Sequence, residues 1–498
     1  MVHRLLLLER GQLRRAWPFF ALYLVLFAAL ALADGLTLAL FVRRVGAREL
    51  PLFLAVAAAA VLPAMLIYLR IAQRLAAPRL FAVVLALPAA VFACVWLGIR
   101  LDLLPTRGLG VLLLGRELAF ALVLLHFGAF LQDYFTRTEL NRVMSFIYAG
   151  GRVGGMAGGA ALEHLSGAVD PIDLLVVPVI LLVVGIAAVA WLARRTATVP
   201  EPDDAPSVAV AVPMATGLAV PTAATAAATT TATAAATIAP RAVTPEEAVA
   251  TTATLGGFLG FVWRSPLLFW ITASTIVYFV CRACLNVQYS ACFEQLLTDE
   301  AELARFLGRY TQAALAISLV LQLLVVNRLV AWLGMRGAQL TYAALVLVAA
   351  VACWGEMSLA AAVFVRFVEG ELRFGLRNPV AQMIVNHFPK PLRTRARAWS
   401  LGVLIPLSTL AGSLLLVALV RSSLPAALGL AALVAGTAYL AASWAMTARL
   451  AAPLPRAPAI VHDQPSRPTG AVAGRARRPA ARLAPQPIAS AIGPHGSL

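Results

Sequence analysis

The sequence predicts an all-α integral membrane protein of about twelve transmembrane helices in two sets of six, and three observations lead there. The chain is 61% hydrophobic with a mean hydropathy of +0.85, well above the roughly half-apolar balance of soluble domains. Its apolar residues gather into runs near the roughly 20 residues that carry a helix across a bilayer. Only 13% of residues are charged, and most of these crowd into the connections between runs. Backbone groups in lipid must be satisfied internally, so such runs are helices, and no period-two alternation suggests a barrel.

The first six runs are Trp17–Val42, Leu50–Leu69, Leu80–Ile99, Leu109–Leu131, Phe146–Leu165 and Ile172–Leu192. The second six are Pro266–Tyr289, Phe306–Val326, Ala338–Gly355, Leu359–Asn386, Ala398–Val420 and Leu424–Met446. Residues 196–255 between the sets are rich in Ala, Thr, Pro and Val, and they predict a disordered cytoplasmic linker. Residues 450–498 are rich in Pro, Ala and Arg and predict a disordered basic tail. The expected organisation is therefore a six-helix half over 1–195, the linker, a second half over 256–449, and the tail.

Net charge is +17, and its distribution reports topology. Arg10, Arg14 and Arg15 precede the first run; Arg70, Arg74 and Arg79 follow the second; Arg137 and Arg142 follow the fourth. Arg328 and Arg336 follow the eighth run, and Lys390, Arg393, Arg395 and Arg397 follow the tenth. The alternate connections are poor in bases or acidic, as at Asp170 and Asp173, or Glu294, Asp299, Glu300 and Glu302. Bases collect on the cytoplasmic side, so both termini are expected in the cytoplasm, with the chain multi-pass in a bacterial inner (plasma) membrane. Arg43, Arg44 and Arg48 break the pattern. The basic balance is topological, and no nucleic-acid partner is expected.

The two sets look like repeats. Glu49-Leu50 with Phe53-Leu54 recurs as Glu302-Leu303 with Phe306-Leu307, and the same offset relates Phe135 to Phe388, Arg137 to Lys390 and Arg142 to Arg395. One offset held over this distance indicates a duplicated six-helix unit. Halves related by an axis along the membrane normal are those of the major facilitator-type arrangement, where helices one, four, seven and ten line a central cavity.

Nine charges inside the runs fall on those four helices: Asp34; Arg116 and Glu117; Arg282; and Arg366, Glu369, Glu371, Arg373 and Arg377. A charge at membrane depth costs several kcal/mol unless it is paired or lines a wet cavity. On the tenth run, Arg366, Glu369, Arg373 and Arg377 are spaced to share one face, while Glu371 points toward a neighbouring helix. A charged stripe that binds an anion or carries a proton is one reading. Mutually neutralising pairs within the helix, with Arg377 snorkelling, is the other. Asp34 and Glu117 are candidate proton carriers, or partners of Arg116 and Arg282. His126, on the same helix as Glu117, reads as a lesser cavity candidate or a packing residue.

Other features are expected to be structural. Gly150, Gly154 and Gly158 line one helix face and permit close helix packing. No Lys-Ser/Thr ending makes this stretch a phosphate loop, so no ATPase is expected. Cys281 and Cys284 sit in an apolar run with no second pair, which favours packing over metal or redox work. Neither cofactor nor metal is expected. An embedded transferase would need a large extracytoplasmic loop, so an enzyme is not expected.

Several stretches resemble the ATP/ADP translocase (nucleotide transporter) family and its bacterial relatives. They are Gly46-Ala-Arg-Glu-Leu-Pro51, Arg137-Thr-Glu-Leu-Asn-Arg142 leading into Gly150, Glu302 to Tyr310, and Glu371-Leu-Arg373-Phe-Gly-Leu-Arg377-Asn-Pro379. The resemblance implies a major facilitator fold. It departs where the exchangers carry Lys-Asp in the first helix, since this chain reads Ala33-Asp34-Gly35 there. It departs again in the seventh helix, which reads Asn286-Val-Gln288 with Arg282 one turn earlier.

The functional expectation is a secondary transporter of a small anionic solute, a nucleotide or another phosphorylated metabolite, acting as a monomer among membrane lipids. The alternatives are a non-transporting scaffold or assembly factor, and a flippase for an anionic lipid.

Overall fold

Ser265 precedes Pro266 at the start of one helix, and the Asp299 and Ser358 side chains accept from the Glu302 and Ala361 amides at the starts of two others (2.8 and 3.2 Å). Such caps satisfy amides that an isolated helix end leaves open. In the computed structural model of the chain, residues 10–195 and 260–450 are described, apart from 73, 136, 261, 264, 355, 356, 386, 387, 389–395, 397, 398 and 422–424. The expected linker over 196–255 lies outside the described residues, as do Lys390, Arg393, Arg395, Arg397 and the tail beyond Leu450.

The first set is α1 (Arg10–Arg44), α2 (Leu50–Ala72), α3 (Ala77–Arg100), α4 (Gly110–Gln132), α5 (Arg137–Leu165) and α6 (Val176–Arg195). The second begins with α7 (Pro266–Leu296) and α8 (Glu300–Val320). α8 continues through a π-helical segment, Leu321–Val326, into Asn327–Ala352. Gly334 has φ 66° and ψ 179° there, a backbone that only glycine adopts readily. It ends α8, and the remainder is α9. α10 combines Leu359–Phe367, the π-helical Val368–Arg377 and Asn378–Val385. α11 combines the π-helical Trp399–Leu404 with Ile405–Arg421, and α12 is Pro425–Leu450. No strand occurs among the described residues.

Packing follows the repeat. α1 packs on α5 and α6 as α7 packs on α11 and α12, and α3 packs on α6 as α9 packs on α12. The two sets meet where α2 packs on α11 and α5 on α8. The offset pairs fall at matching places: Leu50 and Leu303 are buried at the starts of α2 and α8, and Phe135 and Phe388 are buried beyond α4 and α10.

Eight described helices are long and apolar enough to cross a membrane; α11 has a shorter apolar helix, Ile405–Arg421, and α5, α8 and α10 are not among the eight either. The physical reason is position. α5 and α8 pack on each other and on α1, and charged residues of α5 and α10 line the central cavity, where charge is tolerated.

α5 has two glycine faces. A Cβ at Gly150 would meet the Phe20 carbonyl at 2.6 Å, and Cβ atoms at Gly154 and Gly158 would overlap the carbonyls of Leu24 and Ala28. That stripe seats α5 on α1. On the other face, Gly159 packs on Gly308 of α8, with a Cβ-to-carbonyl approach of 2.8 Å. The expected single packing face is thus two faces, one within the first set and one at the seam between sets.

Candidate functional site

All nine charged residues singled out from the sequence line one cavity of about 970 Å³, walled by both helix sets. α1 brings Asp34, α4 brings Arg116 and Glu117, and α7 brings Arg282. α10 brings Arg366, Glu369, Glu371, Arg373 and Arg377. A volume of this size sits at the upper end of small-molecule pockets.

The pairings form two layers. In the first, Arg116 contacts Asp34 at 3.1 Å and Glu117 at 2.5 Å, Arg366 reaches Asp34 at 3.3 Å, and Arg282 pairs with Glu369. The Tyr289 hydroxyl donates to Glu369 at 3.4 Å, and Asn286 donates to Tyr289 at 2.8 Å. Three arginines therefore face three carboxylates, and this layer is neutral. Arg366 also lies over the rings of Tyr310 and Tyr289, at 4.9 and 5.6 Å. Buried charge persists only with such compensation, because each ion costs several kcal/mol to desolvate.

The next contact is between halves: Arg152 of α5 pairs with Glu371 at 2.8 Å. Beyond it stand Arg373 and Arg377. Among the described residues neither has a carboxylate within 4.0 Å. The Arg373 Nε is buried without a hydrogen-bond partner among the described residues. Arg377 is 7% exposed, with its guanidinium 3.9 Å from the Tyr278 ring centroid and hydrogen-bonded to Tyr439. A desolvated cation–π contact contributes about 2 kcal/mol, less than the several kcal/mol cost of burying the ion. Six arginines and four carboxylates line the cavity, an excess of two positive charges; Arg373 and Arg377 are the two without a carboxylate within 4.0 Å among the described residues, and Arg373 remains within longer electrostatic reach of Glu117 and Glu369.

Several sequence expectations change here. No described ion pair within 4.0 Å joins two α10 charges: those of Arg366, Glu369 and Glu371 go to other helices, while Arg366 and Arg373 act on Glu369 at longer range. The π-helical segment removes the regular turn that the three-and-four spacing assumed; Glu371 lines the cavity with the rest and also reaches a neighbouring helix, α5, through Arg152. Arg282 serves Glu369 and not Asp34. Arg377 does not snorkel, because tyrosines enclose it. His126 is buried away from the cavity; its Nε2 donates to the Ala77 carbonyl (2.9 Å), which leaves Nδ1 to accept from the Tyr68 hydroxyl (2.9 Å). It is a packing residue. Cys281 and Cys284 are free and buried in α7.

Sequence reasoning missed Arg152. The argument that singled out the other charges applies to it equally, since it lies inside a membrane-length run; its glycine neighbours drew the reading toward packing alone. The cavity's tyrosines, Tyr23, Tyr148, Tyr289 and Tyr310, carry no sequence signal beyond being aromatic residues in apolar runs.

The two sets are clamped at one end. Arg44 pairs with Glu300 at 2.8 Å, Arg43 donates to the Glu294 carbonyl at 3.0 Å, and the Ala47 amide donates to the Glu294 carboxylate at 2.8 Å. Glu163 accepts from Arg309 and Gln312, both at 2.6 Å. The cavity extends the other way, to Met144, Gln382, Ser400 and Met446. The end with the α1 N-terminus is its open end.

No protein-family model and no curated protein matches this sequence. Solved structures do. A mutant form of the nucleoside transporter NupG is similar with a TM-score of 0.58 at 11% identity, over 87% of this chain and 99% of that one. An auto-inhibited peptide transporter of the POT family gives 0.56 at 14% identity, over 89% and 97%. The POT-family transporter PepTSo gives 0.55 at 12%, over 89% and 98%. The ATP/ADP translocase resemblance gains no support beyond the fold from these. At such identities the likeness speaks for architecture, and the architecture is the twelve-helix major facilitator-type fold.

Proposed function

We propose that the chain is a secondary transporter that moves a small anionic solute, a phosphorylated metabolite or a carboxylate, across a bacterial inner membrane by alternating access. The observation that carries this reading is the pair Arg373 and Arg377, two cavity cations with no carboxylate within 4.0 Å among the described residues, in a cavity whose other charges cancel. An anion entering there supplies the missing counter-charge. A scaffold that merely kept the fold would have closed this space and paired its charges. With both termini cytoplasmic, the open end faces the cytoplasm and the clamped end the outside, an inward-open state.

The test is thermal unfolding of the purified protein with nucleotides, sugar phosphates and carboxylates, and with cations as controls. A ligand at one hundred times its Kd adds about 2.7 kcal/mol of apparent stability. One anion class is expected to raise the melting temperature, and Arg373→Gln is expected to abolish the shift. Stabilisation by cations alone, or by nothing, would sink the reading.

The clamp gives a second expectation. Glu163→Ala with Glu294→Ala, in a Cys94→Ser background, removes the described polar contacts of both residues across the sets. A cysteine placed at Leu38, which lines the cavity, should then react faster with a membrane-impermeant thiol reagent added outside. Unchanged labelling would mean that these contacts do not hold the outer end closed.

A further inference from the structure

The two uncompensated arginines share their depth with a wall of rings. A helix rises about 1.5 Å per residue, so distance along each helix from a known contact gives depth. α1 and α10 run antiparallel and meet where Arg366 reaches Asp34. Phe27 lies seven residues from Asp34 toward the open end, and Arg373 lies seven residues from Arg366 toward the same end. Phe27 is therefore about 10 Å below the contact, and Arg373, reached through the wider turns of the π-helical segment, lies somewhat less deep. Tyr23 is eleven residues away, about 16 Å below, and Arg377, also eleven residues away, is again somewhat less deep for the same reason.

A third helix agrees. Arg152 of α5 meets Glu371, and Tyr148, one turn nearer the open end, falls between the levels of Arg373 and Arg377. The Tyr23 ring touches Phe27 at 4.5 Å and Tyr148 at 5.0 Å between centroids. Phe120 extends the wall one turn below Arg116, and all these residues line the cavity. The Tyr148 hydroxyl is buried with no hydrogen-bond partner among the described residues. Buried polar groups left without a partner are uncommon and call for one.

We propose that this layer binds a single-headed aromatic anion, with its carboxylate or phosphate between Arg373 and Arg377 and its ring against Tyr23, Phe27 and Tyr148. The proposal rests on the transport reading above and narrows its substrate. Arg116, Arg282 and Arg366 already pair with carboxylates, so the head group is assigned to Arg373 and Arg377; of the three, Arg366 keeps one buried nitrogen, Nη1, without a hydrogen-bond partner among the described residues. The excess of two positive charges matches a monoanion or a dianion; a triphosphate would leave the cavity strongly negative. Rings offer such a ligand stacked and edge-on contacts that a saturated group of equal size cannot make. The rings belong to the first helix set and the free arginines to the second. A ligand that needs both is bound only while the halves hold this distance, which ties its affinity to their relative motion.

The test is calorimetric titration of the purified full-length protein with phenyl phosphate, cyclohexyl phosphate, inorganic phosphate and a nucleoside triphosphate. Phenyl phosphate is expected to bind about tenfold more tightly than cyclohexyl phosphate, and the triphosphate more weakly than phenyl phosphate. Phe27→Leu with Tyr148→Leu should erase the preference for the aromatic ring. Arg373→Gln should weaken phenyl phosphate by about tenfold or more. Arg377→Gln should do the same; if that buried change prevents folding, Arg373→Gln, whose side chain is only partly buried, carries the test. Equal affinity for the phenyl and cyclohexyl esters, or no loss in Arg373→Gln, would overturn this inference and leave anion transport standing. Binding of none of the four, nor of benzoate as the carboxylate counterpart, would overturn both.

Discussion

Gly154→Leu is expected to abolish the folded state. A side chain at Gly154 has no space: even its Cβ would overlap the Leu24 carbonyl of α1, a backbone atom that cannot rotate away. The same holds one turn later at Gly158 against Ala28. Overpacking a core usually costs about 1–3 kcal/mol because side chains adjust. Here α5 would have to leave α1, and α5 also carries Arg152 and the Gly159 contact with α8. The expected loss exceeds that range, and no monodisperse protein should survive extraction in mild detergent. Gly154→Ala should fold with a clearly lowered melting temperature. Gly11→Ala is the control, because nothing stands within 4 Å of its Cβ. Wild-type stability in Gly154→Leu would mean that α1 and α5 do not pack backbone to backbone.

Glu369→Ala is expected to have the next largest effect. Glu369 is 5% exposed and holds Arg282. Removing one partner of a buried pair costs about 3–5 kcal/mol, because the other charge is left uncompensated. Much of that cost should return in the double variant Glu369→Ala with Arg282→Leu, since two apolar groups need no counter-charge. Thermal unfolding of the wild type, both single variants and the double variant measures the coupling directly. A double variant no more stable than Glu369→Ala would show that Arg282 and Glu369 act independently.

The same pair marks the limit of what could be read in one dimension. That Arg282 and Glu369 face a cavity follows from their place on the seventh and tenth helices. That they face each other does not, because the choice between Asp34, Glu117 and Glu369 depends on helix rotation and depth. The regular turn assumed for α10 fails for a related reason. Its π-helical segment shifts the phase of every charge after Val368, and no residue there announces the shift. Arg43 and Arg44 look misplaced as topology signals; across the seam they meet Glu294 and Glu300. Their sign makes sense only once the second half is beside the first.

Hydropathy, run length and the charge on every third helix were enough to place twelve helices, two related sets and a polar centre, because the bilayer penalises each misplaced charge separately and locally. The tertiary structure alone decided which charges cancel and which two remain, which glycines touch which backbone, and which end of the cavity is shut. Those outcomes depend on distances between helices, and an interaction between two distant residues exists only after packing has brought them together.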